Sequence, residues 1–401
     1  MTTVLWNGRL FDPETGEATE RRAITIEGDT IAAIDDAVGH PPEGAHDLRG
    51  ATVLPGLIDA HAHVASDTTR SPGFGPPPAQ HGEPPRPPGL AHYILAATAE
   101  RFVRSGFTTV RDVGGYDDEV IALRVAIDTG LVRGPRIYTC GRIVTATGPG
   151  GEIFRSMYRE ADGPWEMRKA VREQLKRGAE FIKFMATGAR SVVLEDPEPP
   201  QMTLEEMRAI VDEAHRMGKR VAAHAEGLEG TRLALEAGAD TIEHGLALHR
   251  EPRLLDQMAE RGTVLVPTLS TFHDLAERFA NVFPIVLIEQ AKRQLEEAVL
   301  TVDIARRAGV TIALGYDSGP PGTSAQELLR LIEAGLSAID GLRAATLGGA
   351  AALGRDDLGR VGVWCRADLV VVDGRPDEEP EVLTRPEAVR LVVGRGKVFA
   401  S

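Results

Sequence analysis

The sequence predicts an α/β protein: a (β/α)8 TIM barrel with a small β-sandwich formed from both termini. Strand-like and helix-like segments alternate from about residue 52 to residue 353, and eight apolar runs of strand length fall within that interval. The flanks look different, with short alternating pieces separated by turn residues.

The strand-like runs are 52–62, 107–113, 135–140, 180–186, 219–224, 240–243, 263–267 and 310–316. Between them, 90–105, 164–178 and 252–262 are amphipathic at the helical period. Thr203-Leu-Glu-Glu206 opens a further helix as a capping box. Eight such units spell parallel strands closing on themselves, with the chemistry at their carboxyl ends. Thr3-Val-Leu-Trp6, Arg22-Ala-Ile-Thr-Ile26 and Thr30-Ile-Ala-Ala-Ile34 on one flank match Ala367-Asp-Leu-Val-Val-Val372, Val389-Arg-Leu-Val-Val393 and Lys397-Val-Phe399 on the other. The expected division is therefore 1–50 plus 359–401 for the sandwich and 51–358 for the barrel.

With 401 residues, 42% of them hydrophobic, the chain buries a substantial core. Its net charge of −14 opposes nucleic acid and anionic membrane as partners, so small molecules are expected and homo-oligomer formation is left open. The amino terminus has no basic segment followed by an apolar stretch of signal length, and no run is long enough to span a bilayer. A cytoplasmic protein is the expectation. Cys140 and Cys365 are the only cysteines, without a CxxC pair, and both read as buried thiols.

The runs end in residues of one kind. His61 and His63 close the first, and the i, i+2 spacing on a strand turns both imidazoles to one face, where they can share a metal ion. Lys183 stands inside Phe181-Ile-Lys-Phe-Met185, where burial favours the neutral amine. Such an amine reacts with carbon dioxide, and the resulting carbamate is an anionic ligand with two oxygens. His224, His244 and Asp317 end three further runs. A lone histidine at a strand end is ordinarily a satisfied polar residue, a lone lysine an ion-paired one, and a lone aspartate a turn residue. Six residues of ligand type at the ends of strands one, four, five, six and eight are not what packing requires. They read as the holders of two divalent metal ions.

Other polar residues near strand ends or mouth loops are candidate substrate contacts: Tyr93, Thr147, Glu152, Thr187, Arg190, Glu226 and Tyr316. Tyr316 has an ordinary alternative, since its place beside Asp317 points it away from the barrel axis. Residues 71–88, dense in proline and directly after strand one, read either as a semi-rigid lid or as a surface excursion.

Pro55-Gly-Leu-Ile-Asp-Ala-His-Ala-His63 resembles the strand-one signature of the amidohydrolase superfamily, and the later Lys, His, His, Asp order resembles its binuclear members. Phe181–Gly188, Ala223–Gly227 and Ala237–Gly245 resemble the branch that holds imidazolonepropionase-like proteins and the binuclear Xaa-Pro and Xaa-Arg/Lys dipeptidases. Lys183 favours the dipeptidase side. The resemblance implies hydrolysis of an amide, in a dipeptide or N-acyl amino acid, by a metal-bridged hydroxide. His61, His63 and Asp317 would hold one ion, His224 and His244 the other, and carboxylated Lys183 both; zinc suits the donor set. Asp317 is the expected proton shuttle. Two alternatives stand beside this: a mononuclear imidazolonepropionase-like hydrolase or deaminase of a cyclic C–N substrate, and a scaffold without catalysis. The chain departs from such dipeptidases at Gly148-Pro-Gly-Gly-Glu152, where they usually carry Gly-Gly-His, and at Gly315-Tyr-Asp317, where they usually carry Gly-Thr-Asp. Substrate recognition is expected to differ there.

Overall fold

The computed structural model describes residues 2–65, 89–154, 156–190, 192, 194–278, 280–281, 284–317 and 321–400. The proline-rich segment 71–88 lies outside these residues.

In chain order the strands are β1 (Thr2–Asp12), β2 (Glu17–Glu27), β3 (Thr30–Asp36), β4 (His46–Asp47), β5 (Thr52–Pro55), β6 (Leu57–Ala62), β7 (Phe107–Asp112), β8 (Arg136–Thr139), β9 (Ile143–Thr145), β10 (Tyr158–Glu160), β11 (Ile182–Met185), β12 (Val221–Ala225), β13 (Thr241–His244), β14 (Val264–Val266), β15 (Leu369–Val372), β16 (Val389–Gly394) and β17 (Lys397–Ala400). Two parallel sheets, β6-β7-β8 and β10-β9-β11-β12-β13-β14, form the TIM-barrel-like body. Their residues are buried almost throughout, which is why they read as unbroken apolar runs. Strand three is interrupted: Gly141, at φ 66°, separates β8 from β9, and β9 goes on to pair with β11 at Val144 and Phe184.

The run expected as strand eight, 310–316, is a correction, because it forms isolated parallel bridges instead of a regular strand. Ile312 bridges to Leu265 and Asp317 to Ala62, and Leu314 accepts a backbone hydrogen bond from Ala60. The segment thereby links β14 to β6. Regular pairing is cut short on its other face, where a helix packs directly on the backbone: a Cβ at Gly348 would stand 2.1 Å from the Ile312 carbonyl oxygen. Only glycine permits that approach.

The run 52–62 is also divided. Thr52–Pro55 joins the terminal sheet and Leu57–Ala62 the barrel. The terminal strands form one mixed sheet in the order β17-β16-β15-β5-β1-β2-β3, with β4 on β1. Val53, Leu369 and Val371 belong to the small core that this sheet encloses with Leu5, Ile24, Ile26 and Ile31. Leu54, Val370 and Val372 belong to the barrel core. The two-residue period of a strand thus makes β5 and β15 a shared wall. Buried Arg9 ties the termini by donating to Asp377 at 2.8 and 2.6 Å.

The amphipathic stretches become the helices Leu90–Arg104, Pro164–Arg177 and Pro252–Arg261. Thr203 caps Leu204–Arg216 with the reciprocal bonds of a capping box. Cys140 is buried, but Cys365 is only half-buried, so the reading of both thiols as buried is corrected for Cys365. No helix among the described residues is long and apolar enough to cross a membrane.

Candidate metal centre

His61 lies near the end of β6 and His63 just beyond it, Lys183 lies in β11, His224 in β12, His244 ends β13, and Asp317 closes the bridged eighth segment. All six line one cavity at the carboxyl ends of the parallel strands. The tightest group is His61, His244 and Asp317, whose ligand atoms all lie within 4.8 Å of one another. His63 Nε2 stands 3.4 Å from Asp317 Oδ1, and the His224 and His244 ring centroids are 4.6 Å apart.

Each imidazole is oriented by a second partner. His61 Nδ1 lies 2.6 Å from Glu243 Oε2, His63 Nδ1 is 2.9 Å from the Gly114 carbonyl oxygen, and His244 Nδ1 is 2.7 Å from Thr268 Oγ1. All three contacts are made through Nδ1, the arrangement seen where Nε2 is the ligating atom of a histidine. Burial, before any neighbouring charge, holds His61, His224 and His244 well below the usual imidazole range and also lowers His63. The rings are therefore neutral, which is the ligating form.

The residues present fit divalent ions. Lys183 Nζ and Asp317 Oδ1 are buried atoms without a hydrogen-bond partner among the described residues, an arrangement ordinary cores avoid. His244 and Asp317 also hold left-handed backbone angles, φ 69° and 66°. Such strain in non-glycine residues gathers at functional sites.

The substrate candidates separate into groups. Arg190 lines the cavity, with its guanidinium 4.0 Å from the Phe272 ring centroid and 2.7 Å from Glu226 Oε1. Glu226 is buried behind it and also accepts from Gln294 at 2.9 Å. Thr187 is buried and accepts the Glu226 N–H at 3.1 Å. Neither these two nor the other four line the cavity. Tyr93 is 77% exposed, Thr147 donates to Asp162 at 2.6 Å, and Glu152 is exposed on a short helix. The Tyr316 hydroxyl donates to Asp274 at 3.4 Å, away from the ligand cluster.

Sequence reasoning passed over Arg111 and Glu243. Arg111 is 2% exposed, donates to both oxygens of Glu243 at 2.7 and 2.9 Å and reaches Thr241 at 3.0 Å. The signal was available: one cation and one anion, each inside an apolar strand run, must find a partner when buried. The apolar wall of the cavity, with Ile143, Phe154, Met157 and Tyr158, had no such signal.

Parallel strands with ligand-type side chains converging at their carboxyl ends are the arrangement of the class of barrel enzymes. Within that class the chain belongs to the amidohydrolase family, whose model matches residues 52–399. It is 29% identical to ochratoxinase of Aspergillus niger, over 99% of this chain and 86% of that protein. It is 28% identical to imidazolonepropionase of Paracoccus denitrificans, over 92% of each. Among solved structures, a Xaa-Pro dipeptidase with methionine bound in the active site matches at a TM-score of 0.89 and 32% identity, covering 100% of both chains. The chain is accordingly a hydrolase acting on carbon–nitrogen bonds.

Proposed function

We propose that this protein hydrolyses an amide bond in a dipeptide or N-acyl amino acid, using two divalent ions, zinc by the nature of the donors. His61, His63, His224, His244 and Asp317 would hold them, with a carbamate on Lys183 shared between both. Lys183 is the observation that carries this reading. Its Nζ is buried, lacks a hydrogen-bond partner among the described residues, and belongs to the cavity lining. Burial brings it down to about 8, so a neutral amine is accessible near neutrality. Addition of that amine to carbon dioxide forms an N–C bond and releases a proton. The anion so made suits a point surrounded by neutral imidazoles and cations.

Divalent ions in such a site polarise a carbonyl and lower the pKa of water. The chain's own groups do the rest. Asp317 accepts the proton of the attacking water and returns it to the leaving nitrogen. Arg190, anchored by Glu226, Thr271 and Phe272, presents fixed N–H donors to the polar end of the substrate. Likeness to a Xaa-Pro dipeptidase and to ochratoxinase supports the amide as substrate.

A mononuclear hydrolase or deaminase of a cyclic C–N compound is the second reading. It is favoured by the compactness of His61, His244 and Asp317 and by the likeness to imidazolonepropionase. Elemental analysis of reloaded protein, with a hydrolysis screen of dipeptides and N-acyl amino acids, separates the two. Close to two ions per chain with turnover of the linear amides is the expected result. One ion, with cyclic substrates alone consumed, would establish the second reading.

A further inference from the structure

Between β14 and the short helix Leu269–His273 the chain passes through one residue of unusual backbone. Thr268 is fully buried and lies in the left-handed region, at φ 51° and ψ 44°. A side chain branched at Cβ is an outlier there, and the conformation persists only where the surroundings fix it. The residues that follow touch the cavity's polar groups. Phe272 meets the His244 ring edge to face at a centroid distance of 6.2 Å, and Thr271 accepts from Arg190 at 3.2 Å.

Thr268 stands at the N-cap of that helix, where a threonine hydroxyl ordinarily accepts an N–H of the first turn. Here it makes no such bond. Its Oγ1 is turned instead to His244 Nδ1, at 2.7 Å. The capping is done from another part of the chain. Glu327, fully buried in the helix Ala325–Glu333, accepts the Leu269 N–H at 2.8 Å with one carboxyl oxygen and the Ser270 N–H at 2.6 Å with the other. Those are the two donors directly after Thr268, and at a helix start they have no partner within the helix. Glu327 makes no ion pair among the described residues, and a buried carboxyl without a cation is a costly way to fill a core.

We propose that Glu327 is a positioning residue for the metal centre: by taking over the cap of Leu269–His273 it leaves the Thr268 hydroxyl to His244 Nδ1, and so fixes the ring that would meet a metal ion through Nε2. Glu327 itself touches neither ion nor substrate. The link runs from Glu327 to the Leu269 and Ser270 amides, from them to the backbone of Thr268, and from its hydroxyl to His244. This inference rests on the reading of His244 as a metal ligand.

The test uses the full chain in two states: loaded with cobalt(II), whose visible absorption reports ligand geometry, and metal-free with ring-15N-labelled histidine. Glu327→Gln keeps the shape of the side chain but turns one acceptor into a donor that faces a backbone N–H, and Thr268→Val removes the hydroxyl alone. Each should weaken cobalt binding roughly 10-fold or more in chelator competition, the loss expected when the partner behind a ligating histidine is disturbed. Each should also alter the visible spectrum and move the His244 Nδ1 resonance, assigned by its absence from His244→Asn, while the exposed His46 stays in place. Because both substitutions act on one contact, the double variant should bind cobalt no more weakly than Thr268→Val. A Glu327 that serves packing alone would lower Tm and leave affinity, spectrum and resonance at the parent values. That result, or losses that add in the double variant, would overturn the proposal. No cobalt binding by the parent, with the His244 resonance still moved by both substitutions, would refute the metal reading and retain the positioning role. If Glu327→Gln does not fold, Glu327→Asp, which withdraws both acceptors by one methylene, carries the same comparison.

Discussion

Glu243 Oε2 lies 2.6 Å from His61 Nδ1, and the same carboxylate receives Arg111 at 2.7 and 2.9 Å. The contact sets the tautomer of His61 and aims its Nε2 at the cavity. Removing such a carboxylate behind a ligand costs about 10–100-fold in metal affinity. Glu243→Gln should show that loss in chelator competition, with the far-ultraviolet dichroism of the metal-free protein unchanged; unaltered affinity would mean that Glu243 serves packing alone.

Lys183→Ala should lose most activity and one of the two ions. Acetate or propionate should restore part of both, because a short acid can occupy the space that the lysine vacates and supply the missing anion. Normal activity with two ions, in the absence of added acid, would rule the carbamate out.

Asp317→Asn should lower kcat by roughly 10²–10⁴-fold, the range for a lost general base. Added acids should not rescue it, since a loosely held carboxylate cannot reproduce the placement of Asp317 beside His61 and His63. Recovery with acetate equal to that of Lys183→Ala would remove the proton-shuttle role.

Glu213 tests the electrostatics of the outer helices. Hydrogen bonds from Arg172 and Arg216 bring its carboxyl down to about 2. A depressed acid contributes stability that is complete above its unfolded value, about 4.3, and fades as the pH falls through the folded one. Glu213→Gln should therefore be modestly less stable than the parent at pH 7, the gap being limited by the exposure of both arginines. Urea titrations should show the gap narrowing from pH 5 towards pH 3; a constant gap would contradict the assignment.

Gly348→Ala should destabilise the fold by about 1–3 kcal/mol or more, because its Cβ would meet the Ile312 backbone and the helix must shift. Thermal unfolding that matches the parent would show that the contact relaxes freely.

The residues that converge on the cavity were legible in the sequence as candidate ligands because each is polar and ends or interrupts an apolar run, as His61, Lys183 and His244 do. The helices were legible for the same reason of period, and Thr203 with Glu206 through their spacing. Strand eight was less so, since Val310–Tyr316 has the composition of a strand, while the close approach of Gly348 to Ile312 belongs to a helix some 30 residues later. Thr52–Pro55 reads continuously with Leu57–Ala62, and only pairing with β1 and β15 divides them.

By itself, then, the sequence determined which residues are chemically able to bind metal and which segments alternate as strand and helix, because composition and period are local properties of the chain. Tertiary structure alone decided that Glu243 stands behind His61, that Arg190 faces the cavity while Tyr93 does not, and that Phe154, Met157 and Tyr158 make its apolar wall. Those relations join residues far apart in the chain, and an apolar side chain has the same local signature whether it fills a core or lines a pocket.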